Sequence, residues 1–171
     1  MRTAFRYLAP MALVLGVASL AAADEWKPYT SSAGRYTASF PGTPKEVTQR
    51  TETGVDATIA SLQSTDAAYA VAFNDLPKDA LAKQSADQLL DAARKGAVDK
   101  VKGKLVSEKK VTADGFPGRE LTIDAPGELQ LTEHAYLVKT RLYQVLVVAR
   151  KAKGMPDDTK KFLESFKFTA P

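Results

Sequence analysis

The sequence predicts an α+β domain, an antiparallel sheet of about seven to eight strands with one long and one short helix packed on it. Three observations carry this. Segments such as RYTASF and RELTID alternate apolar and polar residues with a period of two, the mark of half-buried strands. Two other segments, AAYAVAFND and RLYQVLVVA, are apolar on both faces, as strands covered from both sides must be. One stretch, SADQLLDAARKGAVDKVKG, repeats apolar residues at three- and four-residue spacing, the period of an amphipathic helix.

Taken in order, the first strand places Tyr36, Ala38 and Phe40 on one face, against Arg35, Thr37 and Ser39 on the other. It runs into Phe40-Pro41-Gly42-Thr43, which suits a type II turn because proline presets a negative φ and glycine tolerates a positive one. The tripeptide recurs at Phe116-Pro117-Gly118, with KKVTA before it and RELTID after, and both copies are expected to turn the chain at a corner of the sheet. Between them VDATIASLQ and AAYAVAFND form a hairpin across Ser64-Thr65-Asp66. In the second of these, Tyr69, Val71 and Phe73 face one way and Ala68, Ala70 and Ala72 the other, so a helix can approach the alanine side closely.

The long helix opens on Ser85 and Gln88, the spacing of a capping box, and Gly103 marks its end. Leu90, Ala93, Ala97 and Val101 form its narrow apolar stripe. KLVSEKKVTA, with three lysines, reads as an edge strand charged against pairing with other molecules. ELQLTEHAYLV and RLYQVLVVA then meet at Lys139-Thr140. In the latter, Tyr143, Val145 and Val147 oppose Leu142, Leu146 and Val148, which makes it central and calls for helices on both sides of the sheet. A short helix starts near Pro156-Asp157-Asp158 and presents Phe162, Leu163 and Phe166, and FKFTA offers a last short strand. WKPYTSSAG reads as a linker.

The amino terminus has the pattern of a cleaved export signal. Arg2 and Arg6 precede a mostly apolar run from Leu8 to Leu20, and Ala21-Ala22-Ala23 supply the small residues before a cut at Asp24. That run is broken by Pro10 and Gly16 and falls short of the roughly 20 residues that span a bilayer. The expected organisation is a signal peptide over 1–23, an amino-terminal segment over 24–33 and one α+β domain over 34–171. The expected destination is the bacterial periplasm or the exterior, with no membrane span once the signal is removed. The chain has no cysteine, so its stability must come from its core rather than from disulfides. Its net charge of +4 includes both signal arginines, and nothing in that balance calls for nucleic acid as a partner.

The residue inventory excludes several chemistries. One histidine, His134, and zero cysteines rule out Cys/His zinc sites and thiol nucleophiles. The G-x-S-x-G elbow, the phosphate-binding and dinucleotide glycine motifs and the calcium loop are absent. No catalytic or metal-binding residue and no cofactor is therefore assigned.

Three features stay as candidates. Glu133 and His134 interrupt an apolar strand whose odd positions, Leu129, Leu131, Ala135 and Leu137, point to the core. Either Glu133 is buried with them, where a carboxylate needs a partner or a raised pKa, or a β-bulge turns it outward, and the bulge or a solvent-facing edge is the expectation. His134 reads as a surface or cross-strand residue. A basic run from Arg94 to Lys110 could meet an anionic partner, but Asp99 and Glu108 dilute it and it reads as a solvated helix end and edge strand. Arg119-Glu120, with Trp26 and Tyr29, could line a groove; equally, Arg119 and Glu120 can alternate outward and Trp26 can pin the amino terminus to the domain.

The order of elements, with Gly34-Arg35-Tyr36 and Phe40-Pro41, Gly115-Phe116-Pro117-Gly118-Arg119-Glu120, Arg141-Leu142-Tyr143 and Phe162-Leu163-Glu164-Ser165-Phe166, resembles the Mog1/PsbP-like family. The resemblance implies an α/β/α sandwich built on an antiparallel sheet, and it is nearest to exported bacterial members without an assigned activity. It carries no site residue onto this chain. It points to a non-catalytic binding or assembly factor acting on another exported protein. Two other readings remain: a carrier of a small apolar or amphipathic ligand, suggested by Tyr69, Phe73, Tyr136 and Tyr143, and a carboxylate-based hydrolase needing two acids roughly 5–10 Å apart.

Overall fold

The structure, a computed structural model, describes residues 26–51, 54–153 and 157–169. Residues 1–23, expected from sequence to be a signal peptide, and Pro156 lie outside the described residues. The elements in order are β1 (Lys27–Ser31), β2 (Tyr36–Phe40), β3 (Lys45–Arg50), β4 (Asp56–Gln63), β5 (Ala67–Asp75), α1 (Lys78–Lys83), α2 (Ala86–Val101), β6 (Lys104–Ala113), β7 (Phe116–Ala125), β8 (Leu129–Val138), β9 (Arg141–Arg150), a 3-10 turn (Lys151–Lys153), α3 (Asp158–Ser165) and β10 (Lys167–Phe168).

Strands β3 to β9 form a seven-stranded sheet in the order β3-β4-β5-β9-β8-β7-β6, every pair antiparallel. The two doubly apolar segments are neighbours at its middle. Every residue of β5 except Asp75 is buried, and β9 sends Tyr143, Val145 and Val147 into one core and Leu142, Leu146 and Val148 into the other. One face is covered by α1 and α2, through Leu76, Ala80, Leu89, Leu90 and Ala93. The opposite face is covered by α3 together with a second, three-stranded sheet, β1-β2-β10.

The architecture thus departs from expectation in three ways. A second sheet takes β2 and the short carboxy-terminal strand out of the main one. The six-residue helix α1 adds to the long and short helices, making three α-helices among the described residues. Helices lie on both faces, α1 and α2 on one and α3 on the other, and β2, with Tyr36, Ala38 and Phe40 all buried, shares the second face with α3. WKPYTSSAG contains a strand: β1 pairs with β2 from Lys27 opposite Phe40 to Ser31 opposite Tyr36.

The two FPG copies do different things. At the first, Gly42 N–H donates to Phe40 C=O over 2.8 Å, a three-residue turn rather than the four-residue type II turn, and Gly42 has φ +129°. The second lies inside β7. There the corner is made two residues earlier by Asp114-Gly115, both at positive φ (49° and 81°), the signature of a two-residue hairpin turn. Pairing of β7 with β8 begins at Gly118, so the missing donor of Pro117 interrupts no bond of that ladder. Gly118 is needed for space: a Cβ there would sit 2.6 Å from the Ala135 carbonyl oxygen and 2.5 Å from the Tyr136 ring.

Candidate functional site

The side chains singled out from sequence lie on adjacent strands β7 and β8 but not on one face. Arg119 and Glu133 point toward α2, with Leu121, Ile123, Leu131 and Ala135 around them. His134 points the other way, with Tyr136, toward α3 and the small sheet.

Arg119 is 3% exposed, which overturns the outward-facing reading. The capping box of α2, in which Ser85 Oγ accepts from Gln88 N–H and Gln88 Oε1 from Ser85 N–H, sets the first turn of the helix above β7. That places Asp87 and Asp91 over Arg119. Its Nη2 donates to Asp87 Oδ1 at 2.6 Å and to Asp91 Oδ1 at 3.4 Å, its Nε to Glu108 Oε1 at 3.1 Å, and its Nη1 to the Gly118 carbonyl at 3.3 Å. Arg94 reaches Glu108 Oε2 at 2.6 Å and Lys110 reaches Asp87 Oδ2 at 3.0 Å, closing a network of three acids and three bases. Hydrogen bonds from Arg119 and then Lys110 hold the Asp87 carboxyl below its ordinary pKa. Arg94 and Lys110, the two ends of the basic run, belong to this network, and β6, which carries its second half, is the outer strand of the sheet.

Glu133 is 1% exposed. The expected bulge is absent: β8 runs in unbroken register with both neighbours, Glu133 standing opposite Leu121 and Leu146. With period two kept throughout, an odd position on this strand has nowhere to go but under α2. Gln144 Nε2 donates to Glu133 Oε1 at 2.8 Å. Burial pushes the carboxyl pKa up to about 7, against the lowering effect of that bond.

His134 is a cross-strand residue. Its Nε2 lies 3.4 Å from Glu120 Oε2 on β7, and its Nδ1 lies 3.2 Å from the Tyr136 hydroxyl. Burial lowers its pKa, while the Glu120 carboxylate pulls the other way. The neutral tautomer protonated on Nε2 satisfies both contacts, donating to Glu120 and accepting from Tyr136. Trp26 packs edge-on against Tyr69 with 5.8 Å between ring centroids, pinning the amino-terminal segment to the domain.

Sequence reasoning missed Asp87, Asp91, Glu108 and Gln144. A signal for the first two was present: like charges four apart on a helix repel unless a cation lies between them. The partners of Arg119 lie 11 to 32 residues away in the chain, a distance that no local pattern spans. Among the described residues, no group of three or more His, Cys, Asp or Glu side chains is placed to hold a metal ion. No helix among them is long and apolar enough to cross a membrane.

A seven-stranded antiparallel sheet with helices on one face and a small sheet plus a helix on the other is a PsbP-like arrangement, and the chain has a Mog1/PsbP-like fold. The solution structure of cyanobacterial PsbP (CyanoP) from Synechocystis sp. PCC 6803 superposes with a TM-score of 0.61 over 90% of this chain and 98% of that one, at 15% sequence identity. A Pseudomonas aeruginosa protein of unknown function aligns over 74% of this chain and 84% of its own, with 12% identity and a TM-score of 0.41. No family model matches the chain. No curated protein matches it either.

Proposed function

We propose that the chain is an exported, non-catalytic domain that binds another exported protein, as an accessory or assembly factor. The observation that supports this reading is how its charges are arranged. The carboxylate whose pKa is raised toward the useful range, Glu133, is sealed under α2, out of reach of a substrate. Asp87 and Asp91, which solvent does reach, sit against the Arg119 guanidinium, and Asp87 is held ionised there. General acid–base chemistry needs one group that is both perturbed and accessible. This weighs against the hydrolase reading. The carrier reading loses its motive as well: Tyr69, Phe73, Tyr136 and Tyr143 are engaged in ring contacts with Phe162, Tyr36, Phe166 and Phe168.

Export itself rests on the amino-terminal pattern of positive, apolar and small residues. Expression of the full chain with a carboxy-terminal tag, followed by fractionation, should place the shortened protein in the periplasm. Cross-linking there and recovery through the tag should enrich one exported protein above an unrelated tagged control. Repeated recovery of the bait alone would overturn the proposal.

A further inference from the structure

The seven-stranded sheet ends in two edges of opposite character. β6 carries the devices that keep an edge from pairing: a register break between Leu105 and Ser107, and lysines at 104, 109 and 110. β3 has no register break, and its charges, Lys45, Glu46 and Arg50, are of mixed sign. Its register with β4 is unbroken from Lys45 opposite Ser61 to Arg50 opposite Asp56. All six of its residues but Gln49 are exposed, and Val47, at 47%, is one of two large apolar side chains that stand out as exposed among the described residues.

We propose that β3 is a self-association edge, pairing antiparallel with β3 of a second copy of this chain about a two-fold axis at Thr48 and joining two seven-stranded sheets into one.

The order of charges selects both the occupant and the register. With Thr48 on the axis, Glu46 of each copy stands opposite Arg50 of the other, so the pairing contains two opposite-charge cross-strand pairs on one face. Val47 then lies opposite Gln49 and Lys45 opposite Thr51. Shifting the axis between Val47 and Thr48 sets Lys45 against Arg50, a like-charge clash, and an axis at Val47 pairs Glu46 with Thr48 and leaves Arg50 outside the match. Opposite charges directly across a ladder stabilise it and like charges destabilise it. Both members of the pair can respond. Tyr29 and Ser31 donate to the same Glu46 oxygen, Oε2, at 2.6 and 3.0 Å, and Oε1 accepts no bond among the described residues. Arg50 meets Asp56 only at 3.5 Å, between side chains 71% and 62% exposed, a contact of little strength. On the same face Thr48 and Thr58 already pair through their hydroxyls at 2.8 Å, and the two-fold would extend this into a four-threonine row across both copies.

The absence of cysteine gives a clean test. Thr48→Cys puts the new thiol on the axis, where directly opposed Cβ atoms are about 4.5–5.5 Å apart. Under mild oxidation it should form covalent dimers about tenfold faster than Val106→Cys, an exposed control on the β6 edge. Sedimentation of the unsubstituted protein should show a concentration-dependent dimer. Arg50→Glu should weaken that dimer about tenfold, and Glu46→Arg with Arg50→Glu should restore it. Equal cross-linking rates at the two edges, or a monomer up to about 1 mM, would overturn the proposal. An Arg50→Glu protein that associates as tightly as the unsubstituted one would overturn it too.

Discussion

Arg119 and Glu133 sit on the same face of adjacent strands, yet burial acts on them with opposite results. Arg119 brings its own counter-charges from α2 and β6, so it stays a cation, and its fork of donors serves three carboxylates at once. Arg119→Ala should strip that network of its centre and cost roughly 2–3 kcal/mol in urea denaturation. Arg119→Lys should recover only part of this, since a single ammonium cannot reach Nε and Nη2 partners together. Glu133 has an amide for company, so its cheapest form is the neutral acid. The folded chain therefore binds a proton more tightly than the unfolded chain does. Stability from this group is full below the ordinary carboxyl pKa and is lost as pH rises to about 7. His134, shifted down by burial, works in the reverse direction, losing stability as pH falls below its ordinary value. The two slopes oppose each other between about pH 4.5 and 6.5 and mask one another in the unsubstituted protein. Glu133→Gln should unmask the histidine slope and raise stability at pH 8 by on the order of 3 kcal/mol relative to the unsubstituted protein. Melting curves at pH 5 and pH 8 would check this, and equal shifts at both would refute the assignment. Glu133 was legible as a candidate but not as buried, because the alternation of β8 allowed either an unbroken ladder or a bulge. Only its pairing with both neighbours decides.

At the level of elements, legibility followed the amount of pattern each segment carries. β5 and β9 were readable because nine or ten residues apolar on both faces fit little else than a central strand. α2 was readable because its capping box, apolar stripe and length all agree, although its left-handed terminal residue is Lys102, one position before the expected Gly103. α1 spans six residues with no side-chain cap, and β1 contributes mainly exposed residues, so neither rises above its flanks. The second FPG misled because the tripeptide was read without its context: Asp114-Gly115, just before it, satisfies the turn first. Two substitutions separate these roles. Ser85→Ala removes one side-chain bond at the start of α2 and should cost about 1 kcal/mol. Gly118→Ala places a methyl group against a backbone carbonyl that cannot move without breaking the β7–β8 ladder, so its cost should exceed that of Ser85→Ala. Gly115→Ala, with nothing within 4 Å, should be penalised by its positive φ alone. Were Gly118 a turn residue, the ranking of the two glycines would reverse.

For the whole molecule, the consequence of having two sheets is that one aromatic core belongs to both. Phe166 lies 6.1 Å from Tyr136 and 5.7 Å from Tyr143 of the large sheet, 5.5 Å from Tyr36 of the small one, and 5.1 Å from Phe168. Tyr143 adds a buried hydrogen bond, its hydroxyl donating to the Gly34 carbonyl at 2.7 Å just before β2. The small sheet has three short strands and no second apolar face of its own, so it cannot stay folded once this core opens. Both sheets should then unfold in one transition. Trp26, the chain's one tryptophan, reports on the small-sheet side through its contacts with Tyr69 and Lys161, while far-ultraviolet circular dichroism is dominated by the seven-stranded sheet. The two signals should give the same urea midpoint. Phe166→Ala should lower both together by roughly 3–5 kcal/mol, the loss expected for a large buried ring. A tryptophan transition that precedes the dichroism transition, in either protein, would mean that the small sheet is an appendage rather than one wall of the core.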